Sequence, residues 1–267
     1  MIRKREKSDT EINYIPCIHR RQENKKEIQY EPKPISEKNS AIGKFYSSLS
    51  GFGICDEGLR DCFALRLARL ILSILKEGQN NVVTNGSLEP FFYAECVDRA
   101  DIEGLSVQVR DQELLLIYIK QTVLLLRNAG IISVRAGRAV AGKNHEGDSS
   151  LLLDLFDSFW NRCPWGSLFP SNPKAAMELK KYRSILRDIV IAAESRTEIE
   201  KISNDFFELT GFTVKNDLFM ISFLDFYVFT WLKHFGLVRY FGSGHDSPVS
   251  IEVTRSGKSF LRHFPEG

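Results

Sequence analysis

The chain has no C-x-x-C pair, no apolar run long enough to span a membrane, and almost no net charge. Each shortage excludes something. Five cysteines (Cys17, Cys55, Cys62, Cys96, Cys163) are odd in number and irregularly spaced, which argues against both a disulfide framework and a zinc ribbon. The opening Met1-Ile2-Arg3-Lys4-Arg5-Glu6-Lys7 leads into polar sequence without the apolar core of a secretory signal, so the expected setting is a reducing cytoplasm with free, mostly buried thiols. The most apolar stretches, near 114–126 and 218–232, are interrupted by polar or charged residues, and no membrane association is expected.

Charge is unevenly spread rather than absent. The first 40 residues carry ten Lys/Arg and seven Asp/Glu, which leaves 26 basic and 27 acidic groups for the rest. The body is therefore neutral, and overall charge does not argue for nucleic acid.

What is present is a pattern of helices and short hairpins. Residues 1–50, with Pro16, Pro32 and Pro34 and no sustained periodicity, read as a disordered basic arm. From Leu59, apolar residues recur at helical spacing through Leu75, and Gly78 ends that helix. Asn81–Thr84 reads as a short strand, and Ser87 as the N-cap of a second helix through Arg99. Asp111 opens a third helix that closes at Gly130. A hairpin follows, Ile131–Val134 and Ala139–Ala141 about the turn Arg135-Ala136-Gly137-Arg138. A helix over Ser149–Arg162 leads to the Pro164–Pro173 break.

The plan then repeats. A helix is expected over Ala175–Ala193, and a capping box at Ser195-Arg196-Thr197-Glu198 starts a second one that ends near Gly211. Leu218–Phe235 is a third, stopped by Gly236. A hairpin of Leu237–Phe241 and Val249–Val253 about a Gly242–Pro248 wing precedes a short closing helix through Phe264. The joint Leu126-Arg127-Asn128-Ala129-Gly130-Ile131-Ile132 lies over Leu232-Lys233-His234-Phe235-Gly236-Leu237-Val238, and Ala141-Gly142-Lys143 over Ser256-Gly257-Lys258.

At these joints the chain resembles winged-helix proteins. Through Val82–Leu88 and Val253–Lys258 it also resembles an uncharacterised bacterial helix-plus-wing family sometimes attached to plasmid-type open reading frames. The resemblance implies a fold and brings no activity with it. The expected class is mainly α with small β-hairpins (α+β): two winged-helix-like units in tandem after the arm. Unit 1 is expected over 51–146, a connecting helix and linker over 147–173, and unit 2 over 174–267.

Motifs for catalysis do not withstand scrutiny. Gly137–Asn144 fits G-x-x-x-x-G-K but has Asn144 where a phosphate loop needs Ser or Thr, and its interior alternates like a strand. Gly242-Ser243-Gly244-His245 lacks the frame of a nucleophile elbow. His19, His145, His234, His245 and His263 pair with no ligand at metal spacing. No catalytic residue, metal or cofactor is assigned.

DNA is the expected partner of a winged helix, yet the third helices are too apolar to read a major groove. Contacts are instead expected from the wings and flanking basic faces: Arg135, Arg138 and Lys143; Lys180, Arg183 and Arg187; and Arg239, Arg255 and Lys258, mainly on phosphates. The alternative is a protein adaptor or homodimer that uses the apolar third helices.

Overall fold

The computed structural model describes residues 61–78, 82–84, 87–109, 111–142, 147–193, 196–212, 222–242 and 249–265. The arm expected over 1–50, Lys143 and most of the second wing lie outside them. All described residues belong to one compact unit, Lys38–Gly267. The fold is mainly helical with small antiparallel sheets, an α+β arrangement.

Helix α1 (Phe63–Glu77) buries Leu65, Leu67, Ala68 and Ile71 completely, and Gly78 ends it in the left-handed region (φ 75°), where a side chain would be strained. Strands β1 (Val83–Thr84) and β2 (Ser87–Leu88) form a minimal ladder. That ladder takes up the backbone of Ser87, so the expected Ser87 cap does not form. Helix α2 (Pro90–Ile102) starts behind Glu89, with Pro90 at a position that needs no N–H. Helix α3 (Gln112–Asn128) is capped by Asp111, whose carboxylate accepts from Glu113 N at 2.8 Å. Strands β3 (Ile132–Arg135) and β4 (Arg138–Ala141) close about Ala136 and Gly137, both at positive φ (49° and 72°), as a tight two-residue turn requires.

Helix α4 (Asp148–Asp157) runs into a π-helical turn over Ser158–Arg162, and the one-turn helix α5 (Trp165–Leu168) follows. The single helix expected over Ala175–Ala193 is two: α6 (Pro173–Lys181) and α7 (Arg183–Ala192), broken at Tyr182. The expected capping box at Ser195–Glu198 is also replaced. Thr197–Glu198 is strand β5, and helix α8 (Ile199–Thr210) starts behind Glu198 without a side-chain cap. A π turn over Asp225–Phe229 leads into α9 (Thr230–His234), then β6 (Val238–Phe241), β7 (Ser250–Val253) and α10 (Arg255–His263).

The two helix-to-hairpin joints matched in the sequence share their hydrogen bonds. Ile131 N donates to Leu126 O and Leu237 N to Leu232 O, both at 2.9 Å; Gly130 and Gly236 donate to Arg127 O and Lys233 O at 3.0 and 2.9 Å. Both joints are thus the same left-handed helix stop. The strand between the first two helices also pairs equivalently in each half. Val82 bridges to Arg138 of β4, and β5 pairs with β7 in a sheet of order β5-β7-β6. One expected equivalence needs correction. Ladder register puts Gly142 opposite Ile131 (N–H···O 2.5 Å) and Thr254, not Gly257, opposite Leu237 (3.0 Å). Gly257 lies one turn further on, pressed to the same carbonyl, and a Cβ there would fall 2.2 Å from Leu237 O.

The core is continuous between the halves. Tyr118 of α3 meets Trp231 edge-on (6.0 Å) and His234 (4.5 Å) of α9. Phe159 stacks on both Trp165 (5.4 Å) and Trp231 (5.6 Å), and Phe156 packs against Phe235, Phe260 and Phe264. Polar ties cross the same region: Gln121 Nε2 donates to Leu168 O and Ser158 Oγ to Leu125 O. The 148–169 segment is therefore a wedge of aromatic volume between the two third helices. No helix among the described residues is long and apolar enough to cross a membrane.

Candidate nucleic-acid interface

An interface with phosphates needs cations that are exposed, free of internal partners, and displayed on a rigid element. Of the nine residues expected from the sequence, some meet this test, Arg138 meets it only in part, and Lys143 lies outside the described residues.

On the first hairpin, Arg135 and Arg138 are both exposed and face each other in register across the two-residue turn. Arg138 reaches back to Gly78 O at 3.2 Å, which braces the hairpin against the end of α1. The Arg135 side chain has no ion pair or hydrogen bond among the described residues. On the second hairpin, Arg239 is exposed on β6 and opposes Glu252 across the ladder, and Arg255 is exposed at the first turn of α10.

The stripe on α6 and α7 is different in kind. Lys180 Nζ donates to Asn161 O at 2.9 Å and Cys163 O at 2.5 Å, and burial pushes its amine down to about 8. Arg183 donates to Lys180 O at 3.4 Å, and Arg187 to Phe264 O at 3.4 Å. Lys258 Nζ likewise donates to Ala193 O at 2.5 Å. All four are partly buried, with their heads on main-chain carbonyls. They tie segments together instead of lining a free face.

Two cations that sequence reasoning had not assigned to the interface join the second hairpin. The Arg196 guanidinium lies 3.7 Å over the Phe241 ring, and the Lys233 ammonium 5.1 Å over Tyr240. Both are exposed. Arg196 carries no local signal, because only the pairing of β5 with β7 brings it to the hairpin. The Tyr240 hydroxyl donates to the Asp225 carboxylate, whose pKa is raised by burial, so this strand is fastened to the turn before α9.

The third helices offer little to a groove. On α3 the exposed residues are Gln112, Glu113, Ile117, Lys120 and Arg127. From Ser222 to His234 only Ser222, Phe226 and Lys233 are exposed. The apolar faces that would have served an adaptor or dimer are occupied by one another and by the 148–169 wedge. Cys62, Cys96 and Cys163 are free and buried, which pushes their thiols up to about 11, 12 and 12 and leaves them inert.

The chain matches no protein-family model, no curated protein and no solved structure.

Proposed function

We propose that the chain is a non-enzymatic DNA-associated protein. In this reading two winged-helix-like units in tandem touch the backbone through their hairpins, with low sequence specificity. The observation that carries it is the set of exposed cations on the two hairpins, Arg135 and Arg138 on the first and Arg196, Lys233, Arg239 and Arg255 near the second. The shared strand pairing and helix stops of the two halves support the tandem winged-helix reading.

The test is fluorescence anisotropy of the full chain on a mixed-sequence duplex over a salt series. Binding should fall steeply with salt. Replacing both Arg135 and Arg138 by Ala should flatten the logarithmic slope by about 2, near 0.9 per lost phosphate contact. No salt-sensitive binding at low ionic strength would sink the proposal.

One observation favours a second reading, a protein-interaction module. Ile102 and Val107 are 85% and 78% exposed at the connection between α2 and α3. Light scattering of the wild type beside an Ile102→Ser/Val107→Ser double variant tests it. A wild-type oligomer that the variant dissolves is the result it requires.

A further inference from the structure

Where the two halves meet, the start of α1, the turn after α2, the end of α9 and the first strand of the second hairpin enclose a cleft of about 380 Å³. That is the size of a small-ligand site, and a seam between substructures is a common place for one. Its charged lining is Lys233, Arg239 and Asp61. Arg239 is exposed and has no ion pair among the described residues; Lys233 is exposed, lies over the Tyr240 ring, and its charge also acts on the Asp225 carboxylate without a salt bridge among the described residues. Asp61 is already partnered, with Arg66 Nε 3.7 Å from its carboxylate. The charge facing the cleft is therefore mainly positive, with Arg239 the less compensated of the two cations.

The polar lining also separates into committed and uncommitted groups. The Thr254 hydroxyl is committed, since it accepts from Gly257 N and lies 3.2–3.3 Å from Leu237 O and Gly236 O. Gln108 is exposed, and its side chain makes no hydrogen bond among the described residues. His234 also lines the cleft. It is 5% exposed, its ring lies 4.4 Å from that of Phe63, and its Nε2 is buried with no hydrogen-bond partner among the described residues. Unpaired polar atoms in such a setting are costly unless something satisfies them.

We propose that this cleft binds a small ligand bearing an oxyanion, a phosphoryl or carboxylate group, with Lys233 and Arg239 as its counter-charges and Gln108 as a hydrogen-bonding neighbour. Such a ligand would touch both halves at once and stabilise their junction by mass action. The site shares Lys233 and Arg239 with the cations proposed to contact DNA, but the probes that test it contain no nucleic acid, so its failure and the failure of the DNA reading are separate outcomes.

The experiment is a thermal-denaturation titration of the full chain with inorganic phosphate and, separately, with citrate, against sodium chloride at matched ionic strength. A saturable rise in Tm beyond the chloride control is expected with at least one probe; phosphate alone identifies a phosphoryl ligand and citrate alone a carboxylate. Arg239→Ala and Lys233→Ala should each weaken the apparent affinity about tenfold, the scale of one charge-assisted hydrogen bond. Arg135→Ala, on the other hairpin, should leave it unchanged. No rise beyond chloride overturns the proposal. So does a rise that is the same in Arg239→Ala and Lys233→Ala as in the wild type, since that is a general ion effect.

Discussion

The two helix-to-hairpin joints have the same backbone and opposite surroundings. At the third position of each lies a polar residue, Asn128 in one and His234 in the other. Asn128 is half-buried and donates to Leu124 O at 2.9 Å. His234 is boxed by Phe63, Tyr118 and Trp231, and its Nε2 has no hydrogen-bond partner among the described residues. The same local backbone therefore does not bring the same environment. The first third helix keeps a solvent stripe, while the second is nearly enclosed because it sits against α3 on one side and the 148–169 wedge on the other.

The largest effect expected from this asymmetry is on stability. Trp231→Ala, at 1% exposure, should cost about 3–5 kcal/mol in urea denaturation. Ile117→Ala on the 42%-exposed stripe of α3 should cost under about 1 kcal/mol. Because Tyr118 and Trp231 touch across the seam, their double variant should be non-additive, and unfolding should remain one transition. Two resolved transitions in the wild type would mean that the halves are independent.

Next comes the pH dependence of the second joint. Burial pushes the His234 imidazole down from 6.5 to about 3, with the Lys233 charge adding to the effect. Between those values the unfolded chain takes up a proton that the folded chain refuses. The stability is thus fully present above pH 6.5 and is lost as pH falls toward 3, at up to roughly 1.4 kcal/mol per unit. His234→Phe should flatten that decline over pH 6.5–4.5, measured by urea denaturation at several pH values, whereas Asn128→Ala should leave it intact.

A third contrast lies where each hairpin returns. Gly257→Ala would place a Cβ 2.2 Å from Leu237 O, but Gly142→Ala only 3.0 Å from Ile131 O. The first should cost about 2–3 kcal/mol and the second about 1 kcal/mol, read from chemical denaturation. Equal costs would show that the backbone relaxes at both.

These contrasts also show which features were legible in the sequence. The stops at Gly78, Gly130 and Gly236 could be read because a left-handed residue after an apolar helix has a local signature. Ser87 and Ser195 misled because a cap is a local signal, whereas the pairing that overrode the second one, Thr197 with Ile251, joins residues far apart in the chain. The break at Tyr182 was invisible because apolar periodicity runs through it. Among the basic residues, spacing identified a face but not its neighbours. Lys180 reads as one of a solvated stripe until the Asn161 and Cys163 carbonyls arrive from another segment. Arg196 was missed for the converse reason, since a remote strand brings Phe241 beneath it.

The smallest effect on stability separates those two kinds of cation most cleanly. The Arg135 side chain is exposed and without a partner among the described residues, so Arg135→Ala should change stability by less than about 0.5 kcal/mol. Lys180→Met keeps the length of the side chain but leaves two carbonyls without their donor, and should cost about 1–2 kcal/mol. In duplex binding the order should invert. Arg135→Ala should reduce the salt slope by about 0.9, and Lys180→Met should leave it unchanged. If Lys180→Met instead flattened the slope while retaining full stability, the lysine would be a free phosphate contact, and the division between tying and binding cations would be wrong.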